Sequence, residues 1–358
     1  MWKSLKDRAE GVKEMKRMKT TEAVGQVLCH DITQIIPGVT KDAVFRKGHI
    51  IRKEDIPVLL SVGKDSVYIW ENDETMMHEN DAAEVLYRMT ANEHMHPSDV
   101  KEGKIEAIAD TEGLLKVDRE KLKKVNAFGE MMIATRHGNT VVKKGDKLAG
   151  TRIIPLVIKK DKMQEAEKIC DGTPILKILP FTVKKAAIIT TGNEVYHGRI
   201  KDAFTPVIEQ KIAEFGAEMM FHEIFDDNDR KITDGCLRAI EAGADIVFCT
   251  GGMSVDPDDK TPLAIKNTGA EMISYGSPVL PGAMFLLSYY RKGDKVIPIC
   301  GLPGCAMYNR RTIFDLVLPR LMAADPVTAD ELASLGEGGL CLNCKVCTFP
   351  NCGFGKGW

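Results

Sequence analysis

Two stretches of this chain hold residues whose types and spacing suit chemistry. The denser lies at the C-terminal end, where Cys341, Cys344, Cys347 and Cys352 fall within the last eighteen positions, after the flexible join Gly336-Glu-Gly-Gly339. Four soft thiolates gathered so closely are what a tetrahedral metal site or an iron–sulfur cluster requires. The run Cys-x-x-Cys-x-x-Cys is spaced like a ferredoxin loop and favours a 4Fe–4S cluster, while the longer final interval to Cys352 leaves Zn2+ open. Phe349, Pro350 and Phe354 stand nearby to shield such a site. A disordered chain end with free thiols is the plainer alternative.

The second stretch runs from Asp245 to Asp259. Ile246 to Thr250 read as a buried strand that stops at Gly251-Gly252, where the backbone can turn tightly. Backbone N–H groups at such a turn can face an anion. Ser254, Asp256, Asp258 and Asp259 follow at once with a hydroxyl and carboxylates suited to a hard cation. Phosphate with Mg2+ is the ligand this chemistry selects, and a solvated acidic loop is the alternative.

The elements that must position these residues follow from the rest of the chain. At 358 residues, with 44% hydrophobic residues, two or three folded units with real cores are expected. Lys+Arg 49 against Asp+Glu 51 gives a net charge of -2, which offers no footprint for nucleic acid and no pull towards an anionic membrane. The opening residues lack a continuous apolar core, and no run approaches the ~20 apolar residues of a membrane span, so a cytoplasmic location is expected. In a reducing compartment the crowded cysteines argue for metal rather than disulfides.

The first half alternates short apolar runs with turn signals. Residues 1–19 read as a charged extension, with a short helix as the other reading. Helices are predicted near Lys53–Gly63, Asp81–Met89 and Arg119–Phe128, with a strand over Ser66–Trp70 and a hairpin over Gly103–Val117 turning at Asp110-Thr-Glu-Gly113. His94-Met-His96 sits in polar surroundings and reads as an exposed loop, not a metal pair. Residues 20–180 are expected to form a mixed α/β or β-barrel-like region.

From Val183 strands and helices alternate strictly, which is the rhythm of an α/β fold with a doubly wound, mostly parallel sheet over residues 181–328. Strands are expected at Ala186–Thr190, Glu218–Phe225, Ile246–Thr250 and Lys295–Cys300, the last near an edge or interrupted because of Pro298. In such a sheet the strand-to-helix turns share one edge. Thr191-Gly-Asn-Glu194, Asp226-Asp227, Thr250-Gly-Gly-Met-Ser254 and Leu302-Pro-Gly-Cys305 should therefore line one crevice, helped by helix N-termini. Residues 336–358 form a separate cysteine-rich tail.

These four turns, in this order, resemble the molybdopterin-binding domain of the MoeA and MogA proteins, MoeA more closely, over roughly residues 183–325. The resemblance implies an adenylylated molybdopterin across the crevice, molybdate admitted beside its dithiolene, and cleavage of the adenylate with Mg2+. It implies catalytic or metal-holding roles for Glu194, Asp226 and Asp259. It implies cofactor contacts at Thr191, Gly192, Asn193, Asp202, Thr250, Gly251, Gly252, Ser254, Leu302, Pro303, Gly304 and Cys305. A homodimer and delivery to a molybdoenzyme or cofactor-assembly protein are further implications.

The chain departs from that pattern in several places. Cys305-Ala306 replaces Asn-Pro, Pro281-Gly-Ala-Met284 lacks the usual lysine, Asn193 stands for Asp, and Asp256-Pro257 replaces Gly-Asp. The tail is not a feature of MoeA. A molybdopterin carrier or sensor without insertion chemistry, and a CinA-type hydrolase of nucleotide pyrophosphates, are the alternatives. Cys305, at a helix start, is a candidate for a lowered thiol pKa, with a buried space-filling role as the other reading.

Overall fold

The structure is a computed structural model and describes residues 16–36, 40–69 and 74–357. Most of the expected N-terminal extension lies outside the described residues, and so does Trp70. Lys16–Lys19, the described part of that extension, form a strand paired antiparallel with Ser66–Ile69.

The chain divides into two compact units. The first takes the described residues up to Thr111 together with Val117–Arg136 and Lys143–Lys177. Its centre is an open antiparallel sheet in the order Met95–Pro97, Lys104–Ala109, Lys147–Ile153, Met131–Thr135. The helix Glu79–Thr90 packs on it, burying Ala82, Ala83, Val85, Leu86 and Met89 at helical spacing. The region is thus mixed α/β with an open sheet. The expected hairpin is not formed. Lys104–Ala109 pairs with Lys147–Ile153, whereas Gly113–Val117 pairs with Thr140–Val142. Both strands exist, but a four-residue turn does not oblige them to be partners when each buries its apolar face elsewhere. His96 lies on a strand rather than in a loop, exposed, with Nδ1 2.6 Å from Asp110 Oδ1.

The second unit holds Glu112–Lys116, His137–Val142 and the chain from Ile178 onward. Its large sheet has six strands: β1 (Lys185–Thr191), β2 (Glu218–Phe225), β3 (Ile246–Thr250), β4 (Glu271–Tyr275), β5 (Leu286–Lys292) and β6 (Lys295–Leu302). Their order is β2-β1-β3-β6-β5-β4, with the first four parallel and β5 and β4 antiparallel. Helices α1 (Phe204–Ala213), α2 (Asp229–Glu241), α3 (Thr261–Asn267) and α4 (Ile313–Met322) complete it.

Alternation along β1 explains the two-sided packing. Ala186 and Ile188 enter a core with Ile208 and Ile212 of α1 and Phe314, Val317 and Leu321 of α4. Ala187 and Ile189 enter the opposite core with Ile232, Cys236 and Ile240 of α2 and Ile265 of α3. Phe248 meets Phe314 edge-on at 5.3 Å, and each buried ring contributes about 2–3 kcal/mol. Asn228 starts α2 by accepting a hydrogen bond from the Lys231 N–H.

Pro298 sits on β6, which is flanked on both sides rather than at an edge. The parallel pairing with β3 begins at Ile299, so the missing N–H falls where only β5 runs alongside. The sequence pattern leaves β4 and β5 unassigned. β4 buries neither face, so it carries no alternation to read.

Candidate functional site

Because β1 is followed on one side by β2 and on the other by β3, the strand order reverses between β1 and β3. Ligands of such sheets bind at that switch point, beyond the carboxyl ends of the strands. Here the two ends are locked together. Gly251 is at φ +82°, and a Cβ there would lie 2.1 Å from the Thr191 carbonyl oxygen. At Gly252, φ +53°, a Cβ would lie 2.9 and 3.3 Å from the hydroxyls of Thr261 and Thr191, which lie 3.0 Å apart. The Thr261 N–H donates to the Gly252 carbonyl at 3.2 Å and ties α3 to the turn. Any side chain at Gly251 would push β1 and β3 apart.

Acids from three turns meet at this rim. Gly192, at φ +133°, leads into the single helical turn Asn193–Tyr196 that carries Glu194. The Asn193 N–H donates to Asp227 Oδ2 at 3.1 Å, joining the β1 and β2 turns. Asp227 has its pKa raised, first by burial and then by the charges of Glu194, Asp258 and Asp259, with the Asn193 hydrogen bond opposing. Among the described residues these acids are not gathered as around a single ion. The sequence pattern singles out Asp226, but its Oδ2 pairs with Lys231 at 2.8 Å, while Oδ1 is buried and unpartnered. Asp259 accepts from the Asp256 N–H at 3.0 Å, which closes the acidic loop on itself. Ser254 is exposed, and its carbonyl together with that of Met253 receives the Tyr275 hydroxyl.

A second polar group lies on the α1 face of the same strand ends. Asp202 accepts from Thr190 Oγ1 at 2.9 Å, from the N–H groups of Phe204 and Thr205 at 2.8 and 3.1 Å, and from Thr205 Oγ1. His222 Nε2 approaches Thr190 and Thr205 at 3.1 and 3.2 Å. Burial acts to raise the Asp202 pKa, but these hydrogen bonds outweigh it and hold the carboxyl below its usual range. Thr250, the register partner of Thr190, is fully buried with its hydroxyl unpartnered. An orphaned buried hydroxyl beside a glycine turn fits a ligand that supplies the missing bond.

The β6 end joins the same edge, since Leu302 lies beside Thr250 in register. Leu302 and Pro303 are buried, whereas Gly304 is exposed with open space around it. Burial raises the Cys305 thiol pKa, so this cysteine is a packed residue rather than an activated one. Thr190, Thr205, His222, Thr261 and Tyr275 belong to the rim or its supports and escaped the sequence reading. That reading places Asp227 in a crevice turn but gives the role to Asp226 instead.

The tail is packed, not free. Phe354 is 5% exposed within the core cluster, and the Cys341 N–H donates to the Leu280 carbonyl at 2.8 Å. Cys341, Cys344, Cys347 and Cys352 all line one cavity of about 240 Å3, with Asn309, Arg310 and Arg311. Among the described residues, no three His, Cys, Asp or Glu side chains are drawn together as around a single ion. No described helix is long and apolar enough to cross a membrane.

Residues 17–71 match a family model described as a domain of unknown function (DUF8806), and residues 187–323 match one described as a probable molybdopterin binding domain. A putative competence-damage inducible protein of Bacillus cereus (strain B4264) is 30% identical over 129 residues, covering 36% of this chain and 30% of that protein. Its Bacillus subtilis (strain 168) counterpart is 32% identical over 85 residues, covering 24% and 20%. The chain thus spans less than a third of the length of these curated relatives. The tungsten cofactor synthesizing protein MoaB of Pyrococcus furiosus is similar to 39% of this chain over 89% of its own, at 20% identity and a TM-score of 0.32. Residues 187–323, the stretch that matches the probable molybdopterin binding domain, carry every crevice turn.

Proposed function

We propose that the crevice binds molybdopterin in its adenylylated form and, with Mg2+, inserts molybdate, as a molybdopterin molybdenumtransferase does. The observation that carries this is the joining of the strand-end turns within the matched region, by the Asn193 N–H to Asp227 bond and the close approach of Gly251 to the Thr191 carbonyl. Glu194, Asp227 and Asp259 would have to draw together to hold the cation, since no three acids are gathered around one ion among the described residues, and Gly192, Gly251 and Gly252 leave backbone free of side chains for a phosphate. Bound Mg2+ supplies neutralisation of charge on phosphate oxygens. The Thr191–Thr261 contact keeps the turn closed against β1, and the buried Thr250 hydroxyl is positioned to hydrogen-bond a ligand. Asp202 acts through Thr190 and Thr205 and positions α1.

Incubation with adenylylated molybdopterin, molybdate and Mg2+ should release AMP, and Asp259→Ala should abolish the release. Turnover undiminished in that variant would overturn the assignment, and tight pterin binding without turnover would select a carrier or sensor. A second reading is the CinA-type one, hydrolysis of nucleotide pyrophosphates at the same acids, and the similarity to competence-damage inducible proteins keeps it in view. ADP-ribose hydrolysis without AMP release from the pterin would select it. A homodimer in the cytoplasm, serving a molybdoenzyme or a cofactor-assembly protein, belongs to the first reading. The tail cysteines are read as holding metal, as an iron–sulfur cluster or Zn2+.

A further inference from the structure

We infer that the tail cavity is built for a 4Fe–4S cluster ligated by Cys341, Cys344, Cys347 and Cys352, and not for a single zinc ion. This deepens the metal reading of the tail and is independent of the pterin reading, because none of the four thiols belongs to the crevice.

Size decides first. With Zn–S near 2.3 Å, four sulfurs around one zinc lie only ~3.8 Å apart and close the site completely. The four cysteines instead line, with twelve other residues, a cavity of about 240 Å3, many times the ~10–15 Å3 that admits one water and roomy enough for a cluster. No three of them are gathered at single-ion range among the described residues. A cubane of four irons and four sulfides carries its thiolates at its outer corners, so ligands spread around a cavity suit it. Spacing agrees, because three cysteines at two-residue intervals follow the cluster pattern, whereas zinc sites typically use two separated pairs.

The walls of the cavity are fixed before any metal enters. The Leu280 N–H donates to the Gly339 carbonyl and the Gly355 N–H to the Gly338 carbonyl, at 2.8 and 3.0 Å. Gly339 has no room for a side chain, since a Cβ would lie 2.5 Å from the Leu335 and Pro278 carbonyl oxygens. Arg311 is held by Asp315 at 2.9 Å and stacks on Phe349 at 4.8 Å, while Arg310 donates to the Lys345 carbonyl at 3.1 Å. Arg310 thus places a guanidinium on the lining, and Arg311, with Asp315 as its counter-ion, also reaches Cys347. Phe349 and Phe354 shield one side.

The test is anaerobic purification of the whole chain, followed by iron, acid-labile sulfide and zinc analysis. The expected result is about four irons and four sulfides per chain, with a brown colour that bleaches on reduction. Cys347→Ser, at an exposed position, should lose the colour while keeping the wild-type circular dichroism. Stoichiometric zinc without sulfide would overturn the cluster and leave the metal reading standing. A chain that takes up neither iron with sulfide nor zinc on reconstitution would overturn both.

Discussion

At the crevice rim four strand ends carry the turns, and register fixes each beside the next, Thr190 against Thr250 and Thr250 against Leu302. At the tail cavity residues 341–357 contain no helix or strand, and loop contacts alone place the cysteines. The rim is therefore shaped by strand register, whereas the tail cavity is shaped by loop contacts. The same contrast appears in the polar groups. Asp202 is satisfied four times by its own chain, while the tail thiols form no disulfide and Cys347 meets the Arg311 guanidinium.

The sharpest way to break this contrast is to force the rim open. Gly251→Ala should cost ~3 kcal/mol or more, from its positive φ and its clash with the Thr191 carbonyl, read as a lowered urea midpoint. Gly304→Ala, in open space, should change the midpoint by less than ~0.5 kcal/mol. Equal effects would mean that close approach of β1 and β3 is not what shapes the rim.

A smaller effect is expected at Asp202. Asp202→Ala should cost ~2 kcal/mol at neutral pH by stranding two N–H groups and two hydroxyls. Its folded pKa lies below the unfolded one, so its contribution is present above the ordinary carboxylate range and is lost as pH falls through the lowered value. The gap between wild type and variant should therefore close in acid. A gap independent of pH would show that packing, not the carboxylate, is responsible.

The smallest stability change is expected at Asp227. Its folded pKa is raised, so the native state binds the proton more tightly, and stability falls as pH rises from the unfolded value through the raised one. Asp227→Asn should remove that fall, gaining less than ~1 kcal/mol at neutral pH because the group is largely solvated. The same variant should weaken Mg2+ binding by roughly tenfold in titration calorimetry. Unchanged Mg2+ affinity would detach the acids from metal binding.

Much of the α/β half is legible in the sequence because its signals are local. β2 and β3 occupy the expected spans, and α2 shows its buried stripe of Ile232, Cys236 and Ile240. β4 and β5 leave weaker traces, since an edge strand and an antiparallel return need no particular periodicity. The Gly103–Val117 segment shows the limit of pattern: both strands are local facts, and their partners are not.

By itself the sequence determined where strands stop, which turns are glycine-rich or acidic, and that four cysteines crowd one end, because backbone preference and side-chain period act over a few residues. Only the tertiary structure decided that β1 and β3 lie side by side, that Asp227 is joined to the β1 turn while Asp226 pairs with Lys231, and that the four cysteines line one cavity. Adjacent residues on a turn point in different directions. Which of them faces the crevice depends on how distant segments pack, and local sequence carries no record of that.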